Sequence, residues 1–391
     1  MHFTDRVHDF IATAKEFDYV FTTAEECCEL YKQEYGVKNV FALPFATNPK
    51  LFNPIATRPR TNKVVFAGSW YANHEERSAV MERIMDALVE SGYELEVYDR
   101  YHGSGDPLHE WPEKYKKFIR PGQPHQQMPD VYRSSQYGLN FNTVTDSATM
   151  FARRVFELMS SNTLVISNYS KGVDKMFGGL VVFADRDADR LQSLSSREIE
   201  EIKERSLQLV LEEHTYTSRW QEILTKVGAP WLQDNKGLTL VYRVATDEHA
   251  TRAIDHYQNH YASNDDNQLL LLIAEDVDPL QVAEFYKKYN RVGITVTSMH
   301  HINHYALPNR YQPIETKFFL YGAADQLPDS AWVEKARPHL VYATDTPLTP
   351  RQGNAYSQHK VSSSDVLLGH ANTFLSTMQK MDNGSVEAFQ V

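Results

Sequence analysis

The stretch that decides the fold runs from residue 137 to residue 167. Tyr137-Gly-Leu-Asn-Phe-Asn142 is a β-type run and Thr143-Val-Thr-Asp-Ser-Ala148 a polar loop. Thr149-Met-Phe-Ala-Arg-Arg-Val-Phe-Glu-Leu-Met-Ser160 is helical in character, and Thr163-Leu-Val-Ile-Ser167 is a second apolar strand. A strand that passes through a helix to another apolar strand is the βαβ unit of a parallel sheet.

The same alternation extends in both directions. Upstream, Lys63-Val-Val-Phe-Ala67 predicts a strand ending in Gly68-Ser69. Glu75 to Ser91 predicts a helix with Val80, Ile84, Met85 and Leu88 on one face, then Glu94 to Tyr98 a strand and Pro129 to Ser135 a short helix. Downstream, Leu180 to Ala184 reads as a strand and Ser196 to Val227 as long helical sequence. A polar, proline-containing linker from Asn53 to Asn62 precedes this block. Before it stands a strand–helix–strand piece. Asp18 to Thr23 and Val40 to Ala46 are its strands, and Thr23 to Glu26 is a capping box opening a helix that ends at Gly36.

From Asn235 onward the pattern resumes. Leu238–Arg243, Leu269–Ala274, Val292–Thr297, Lys317–Tyr321 and His339–Ala343 read as strands. Glu248–Tyr261, Asp278–Tyr289 and Asp329–Ala336 read as helices, with a closing helix over Ser362–Met381. The expectation is an α/β protein: a Rossmann-like parallel-sheet domain over 56–232, a leading segment 1–55, and a second α/β domain over 236–391.

Composition narrows the function. With Lys and Arg outnumbered by Asp and Glu, the net charge is −11, which disfavours a nucleic-acid partner and still allows a local basic pocket for a small phosphate ligand. The longest apolar runs, such as Leu269 to Ala274, fall far short of a membrane span, and the N-terminus shows no secretory pattern. The only cysteines, Cys27 and Cys28, are adjacent, a poor disulfide geometry that suits a reducing, cytoplasmic setting. No G-x-G-x-x-G follows an early strand, so a dinucleotide oxidoreductase ranks low.

The chemistry concentrates between Asn140 and Glu157. Ligands of open parallel sheets sit beyond the carboxyl ends of strands, and a helix N-terminus there offers N–H groups to phosphate. Arg153 and Arg154 add charge-assisted bonds, and Glu157, one turn after Arg153, is a carboxylate suited to the two hydroxyls of a ribose. The bland reading is a surface ion pair between Arg153 and Glu157.

These residues carry a family resemblance. Val65-Phe-Ala-Gly-Ser69, Pro129 to Asn142, Ala152-Arg-Arg-Val-Phe-Glu-Leu-Met159 and His214-Thr-Tyr-Thr-Ser-Arg219 resemble, in order and spacing, the nucleotide-sugar-binding domain of GT-B glycosyltransferases related to the spore-maturation protein CgeB. Asp18 to Thr23 and Leu43 to Pro54 look like the end of that family's first domain and its linker, so segment 1–55 reads as a remnant of it. The resemblance implies a nucleotide-diphosphate sugar as donor substrate, no metal or other cofactor, and transfer to an acceptor such as a glycan, a protein or a cell-surface polymer. Glu157 matches the second glutamate of the family's E-x7-E pattern, the ribose ligand. The first falls at Thr149, which leaves the sugar to groups around Met150, Phe151 and Ala152 and departs from ordinary retaining chemistry. Gly68 and Ser69 match the glycine turn near the diphosphate, Arg77 is a further phosphate candidate, and Arg120 a base contact. No catalytic residue is assigned. Because the acceptor domain is represented only by that remnant, a non-catalytic nucleotide-sugar-binding or scaffold subunit, completed by a partner or by a second copy, is the alternative.

The third stretch resembles, more weakly, GT-A glycosyltransferases. Its metal-carboxylate position retains only Asp325, which implies a degenerate domain. His300 and His304 share a helical face at a spacing compatible with zinc, beside His301, but no cysteine or nearby carboxylate completes a set in the sequence. His214 reads as a packing residue of the closing helices.

Overall fold

The structure, a computed structural model, describes residues 12–56, 59–187, 189–232, 237–306, 310–323, 326–382 and 386–391. The chain divides into two compact units, Met1–Pro54 with Arg58–Trp231 and Ile55–Thr57 with Leu232–Val391.

The first unit opens with a parallel pair, β1 (Val20–Thr22) and β2 (Val40–Ala42), joined by the helix Cys27–Gln33. The expected capping box does not form there. Glu26 carries no capping hydrogen bond, and its carboxylate instead accepts from the Ser147 hydroxyl at 2.9 Å. The main sheet comprises β3 (Thr61–Ala67), β4 (Leu95–Asp99), β5 (Ile119–Pro121), β6 (Ser135–Asn140), β7 (Leu164–Ser167) and β8 (Val181–Phe183). All pairs are parallel, in the order β5-β4-β3-β6-β7-β8. The chain lays β4 and β5 on one side of β3, then returns to place β6 on the other. This is the doubly wound arrangement, and it opens a crevice where β3 and β6 diverge.

Alternation sorts the strand residues onto two faces. Val64 and Phe66 of β3, Leu139 of β6 and Ile166 of β7 join a core with Met81, Ile84, Met85 and Leu88 of the helix Glu75–Glu90. Val65 and Val165 point the other way, to Phe156, Leu158 and Met159 of the helix Arg154–Ser160. Helices therefore cover both faces. The helix Arg154–Ser160 lies so close to β6 that a Cβ on Gly138 would stand 2.9 Å from Leu158 Cδ1.

The long helical stretch after Ser195 is two helices, Ser196–Glu213 and Tyr216–Lys226. Ser195 and Glu198 form a full capping box for the first. Thr215 is extended and caps the second by accepting from Ser218 N at 3.1 Å, which interrupts the run.

The second unit holds a mixed sheet. Its strands are β9 (Leu238–Val244), β10 (Gln268–Ile273), β11 (Ile294–Ser298), β12 (Phe318–Ala323), β13 (Leu348–Thr349), β14 (Ser357–Val361), β15 (Leu367–His370) and β16 (Val386–Gln390), in the order β11-β10-β9-β12-β15-β13-β16-β14. The first four are mutually parallel, and β15 is antiparallel to both β12 and β13. Two expectations fail here. His339–Ala343 is not a strand, because Pro338 stands at the start of a 3-10 helix, Arg337–Val341, that continues the helix Ser330–Ala336. Ser362–Met381 is not one helix. Asp365 accepts from Ser362 N at 2.7 Å to make a turn, Leu367–His370 enters the sheet as β15, Ala371–Thr373 is a 3-10 turn and only Phe374–Asp382 is α-helical. No helix among the described residues is long and apolar enough to cross a membrane.

Candidate functional site: an arginine-lined hollow at the strand switch point

A hollow of about 400 Å³ opens where β3 and β6 part. Ala67 and Gly68 at the end of β3 form its floor, with Tyr98 of β4 and Arg100 just beyond that strand. Gly122, Gln123, His125, Met128 and Tyr132 also line it, together with Ala152, Arg153, Arg154 and Glu157. Phe45, from the segment after β2, reaches the rim. Three arginines, Arg100, Arg153 and Arg154, and one carboxylate, Glu157, line it, so this hollow is basic in a chain of net charge −11.

The expected helix from Thr149 starts instead at Arg154, after an irregular stretch set by a buried amide network. Asn142 N donates to Asn168 Oδ1 at 2.8 Å, and Asn168 Nδ2 returns a bond to Asn142 O at 3.0 Å. Asn142 Oδ1 then accepts from Ala152 N at 3.1 Å, and Asn140 Oδ1 accepts from Arg154 Nη1 at 3.3 Å. These side chains supply the backbone and guanidinium partners that fix the turn into the helix. The Arg154 guanidinium also lies 5.0 Å from the centre of the Phe66 ring, beneath Gly68. A Cβ on Gly68 would drive into that same ring, so the close floor requires glycine.

Arg153 Nε and Glu157 Oε1 are 2.7 Å apart, with the Arg153 side chain 46% exposed and that of Glu157 8% exposed. The pair is therefore not a solvated surface bridge: the carboxylate is sunk in the wall of the hollow and the guanidinium covers it. Burial pushes the Tyr132 hydroxyl up to about 12; Arg154 opposes the shift and Glu157 adds to it. Tyr98 is likewise raised to about 12 by burial and by Glu96. Both phenols stay protonated and serve as hydrogen-bonding groups.

Of the residues singled out in the sequence, Gly68, Ala152, Arg153, Arg154 and Glu157 come together at this hollow. Arg77 stands behind it. Its guanidinium donates to Ser69 O at 3.4 Å and lies over Tyr71, and burial with the nearby Arg154 charge lowers it to about 10. Ser69 is buried and lines no part of the hollow. Arg120 is exposed, its guanidinium donating to the carbonyls of Lys117 and Ile119. Thr149 is a strut: its hydroxyl donates to Thr23 O at 2.7 Å and accepts from Glu25 N at 2.8 Å. Phe151 stacks on Phe156 in the core, and Met150 N is bonded to Ser147 Oγ. Arg100, Tyr98, Gln123, His125, Met128 and Tyr132 were not legible from spacing, because several different connections deliver them. The strand ends at Tyr98 and Arg120-Pro-Gly122 were the available signal.

His214 packs edge-on against Phe156 and Phe177 and accepts from Arg219 Nη2 at 2.9 Å. Burial, with the Arg219 charge, pushes its imidazole down to about 4. Arg219 also donates to Pro44 O at 2.9 Å, Phe45 O at 3.2 Å and Glu213 O at 3.3 Å. The His214–Arg219 phrase thus clamps the segment that carries Phe45 to the rim. Asp325 lies outside the described residues.

A parallel α/β domain with an arginine-lined hollow at its strand switch point is the class that fold and geometry define. Residues 69–225 match the family model described as glycosyl transferase-like. No curated protein matches the chain. Among solved structures, a mutant of S. aureus TarM crystallised with Fondaparinux, alpha-GlcNAc-glycerol and UDP is similar at 12% identity and a TM-score of 0.43, covering 58% of this chain and 47% of that one. A glycosyltransferase from Rickettsia africae ESF-5 is similar at 11% identity and a TM-score of 0.41, covering 57% of this chain and 67% of that one. A UDP-forming alpha,alpha-trehalose-phosphate synthase from Burkholderia vietnamiensis is similar at 12% identity and a TM-score of 0.40, covering 56% and 61%. The matching part of the chain spans about half the length of the TarM chain.

Proposed function

We propose that the first unit binds a nucleotide-diphosphate sugar in the hollow and that the protein is a glycosyltransferase of the GT-B type, in the CgeB-like group. The observation that carries this reading is the sunken Glu157 carboxylate, paired with Arg153, in a hollow also lined by Arg154 and Arg100 at the switch point of a parallel sheet. The ribose hydroxyls donate to Glu157, displacing part of its bond to Arg153. The diphosphate lies toward Arg154, Arg100 and the Gly68 floor, where backbone approaches closely. Charge that develops on the leaving diphosphate is stabilised by these fixed guanidinium groups, without a metal ion. The acceptor is a hydroxyl compound such as a glycan or a surface polymer. The second unit, whose four parallel strands adjoin an antiparallel β15, is read as a GT-A-like domain with a binding or assembly role.

One observation favours a second reading, binding without transfer. The position of the family's sugar-facing glutamate is Thr149, and its hydroxyl is engaged by the backbone of residues 23 and 25. The discriminating experiment incubates the full chain with UDP- and GDP-sugars and follows release of nucleoside diphosphate. The enzyme reading expects release that falls at least about tenfold in Glu157→Ala. Saturable binding with no release in any acceptor mixture assigns the binding role instead.

A further inference from the structure

The second unit brings together a set of side chains that the sequence keeps apart. Glu275 follows β10, and His300 and His304 lie one turn apart on the helix Met299–His304, which starts directly at the end of β11. Because β10 and β11 are parallel neighbours, both ends open on the same edge of the sheet. Glu275 Oε1 is 3.4 Å from His300 Nδ1 and 3.6 Å from His304 Nε2. Each of the three residues offers a ligand atom within 4.8 Å of the others. A tetrahedral Zn²⁺ with ligands at about 2.0–2.1 Å separates neighbouring ligand atoms by roughly 3.4 Å. These two separations already match that edge.

The surroundings hold the set in place. Met299 and Ile302 anchor the inner face of the helix in the core, so its outer face presents both imidazoles. Ser298 caps the helix by accepting from His301 N at 3.1 Å, and Gln379 Nε2 donates to Ile302 O at 3.0 Å. Asn303 Nδ2 donates to Glu275 Oε2 at 3.2 Å, leaving Oε1 turned to the histidines. A ligating carboxylate oriented by an amide on its other oxygen is the usual outer support of a metal site.

We propose that Glu275, His300 and His304 bind a borderline transition-metal dication, with Zn²⁺ as the type case, leaving the fourth position to water. Two imidazoles and one carboxylate select such an ion over Mg²⁺ or Ca²⁺, which require oxygen ligands. Three protein ligands with an open position are the pattern of sites where an ion polarises a bound water or substrate oxygen. The ion pairs drawn by the same atoms exist only while a histidine is protonated, and a metal replaces that proton.

The test uses the tag-free full chain, stripped with chelator, and needs no nucleotide. Zn²⁺ is titrated by calorimetry and Co²⁺ by visible absorbance. One ion per chain is expected, with low-coordinate cobalt bands. His300→Ala, His304→Ala and Glu275→Gln should each weaken binding by at least about tenfold. His301→Ala, whose ring lies against Tyr305 and Tyr311, should bind like the wild type. All three ligands are exposed, so metal-free melting temperatures should be unchanged and a folding defect would be visible there. Wild-type binding no tighter than that of a His300→Ala, His304→Ala double variant overturns the proposal. So does a sulfur-to-cobalt charge-transfer band, which would place the ion on Cys27 and Cys28.

Discussion

Glu157 and Arg153 show what residue spacing reveals and what it leaves open. The separation of one helical turn made the pair legible, and both a ribose site and a surface bridge fitted it. Burial decides between them: a carboxylate 8% exposed beneath a half-exposed guanidinium is part of a wall. Thr149 was legible as a departure, but its partners, Thr23 and Glu25, lie more than a hundred residues away, and no local pattern encodes that contact. His214 was legible as a packing residue and carries a testable charge effect. Its folded-state value, about 4, lies below the ordinary 6.5. The unfolded chain therefore binds the proton more readily. The stability that His214 contributes is complete above pH 6.5 and is lost as pH falls toward 4. Melting temperatures measured over that interval should fall for the wild type, and the fall should be shallower in His214→Gln.

At the scale of elements, the parallel sheet was readable because its strands are short apolar runs spaced by helices. The helix boundary at Arg154 was not, because Asn140, Asn142 and Asn168 fix it through side-chain bonds across two loops. In the second unit the run Leu367–His370 sits in a stretch otherwise compatible with a helix, and its pairing with β12 and β13 makes it a strand. The clamp between the Tyr216–Lys226 helix and the segment after β2 rests on Arg219, which spans Pro44, Phe45 and Glu213. Charge-assisted bonds of this kind are each worth about 1.5–3 kcal/mol. Arg219→Met keeps the length of the side chain and removes all of them. A loss of roughly 2–3 kcal/mol in denaturant unfolding is expected, with faster proteolysis within residues 43–47. An unchanged midpoint and cleavage pattern would show that the clamp is not needed to hold that segment.

For the whole molecule, the telling contrast is between an acidic chain and one basic hollow. Net charge alone argued against polyanions, and it was silent on where a small anion would be concentrated. The fold resolves this by directing Arg100, from the connection after β4, and Arg153 and Arg154, from the connection after β6, to one strand switch point. The most direct measurement is a calorimetric titration of the full chain with UDP and with GDP, in EDTA and at moderate salt, for the wild type and Glu157→Ala. The account predicts saturable binding of at least one nucleotide by the wild type, weakened about tenfold by the loss of charge-assisted ribose bonds in the variant. Failure of both nucleotides to bind, or equal affinity in the two proteins, would contradict it.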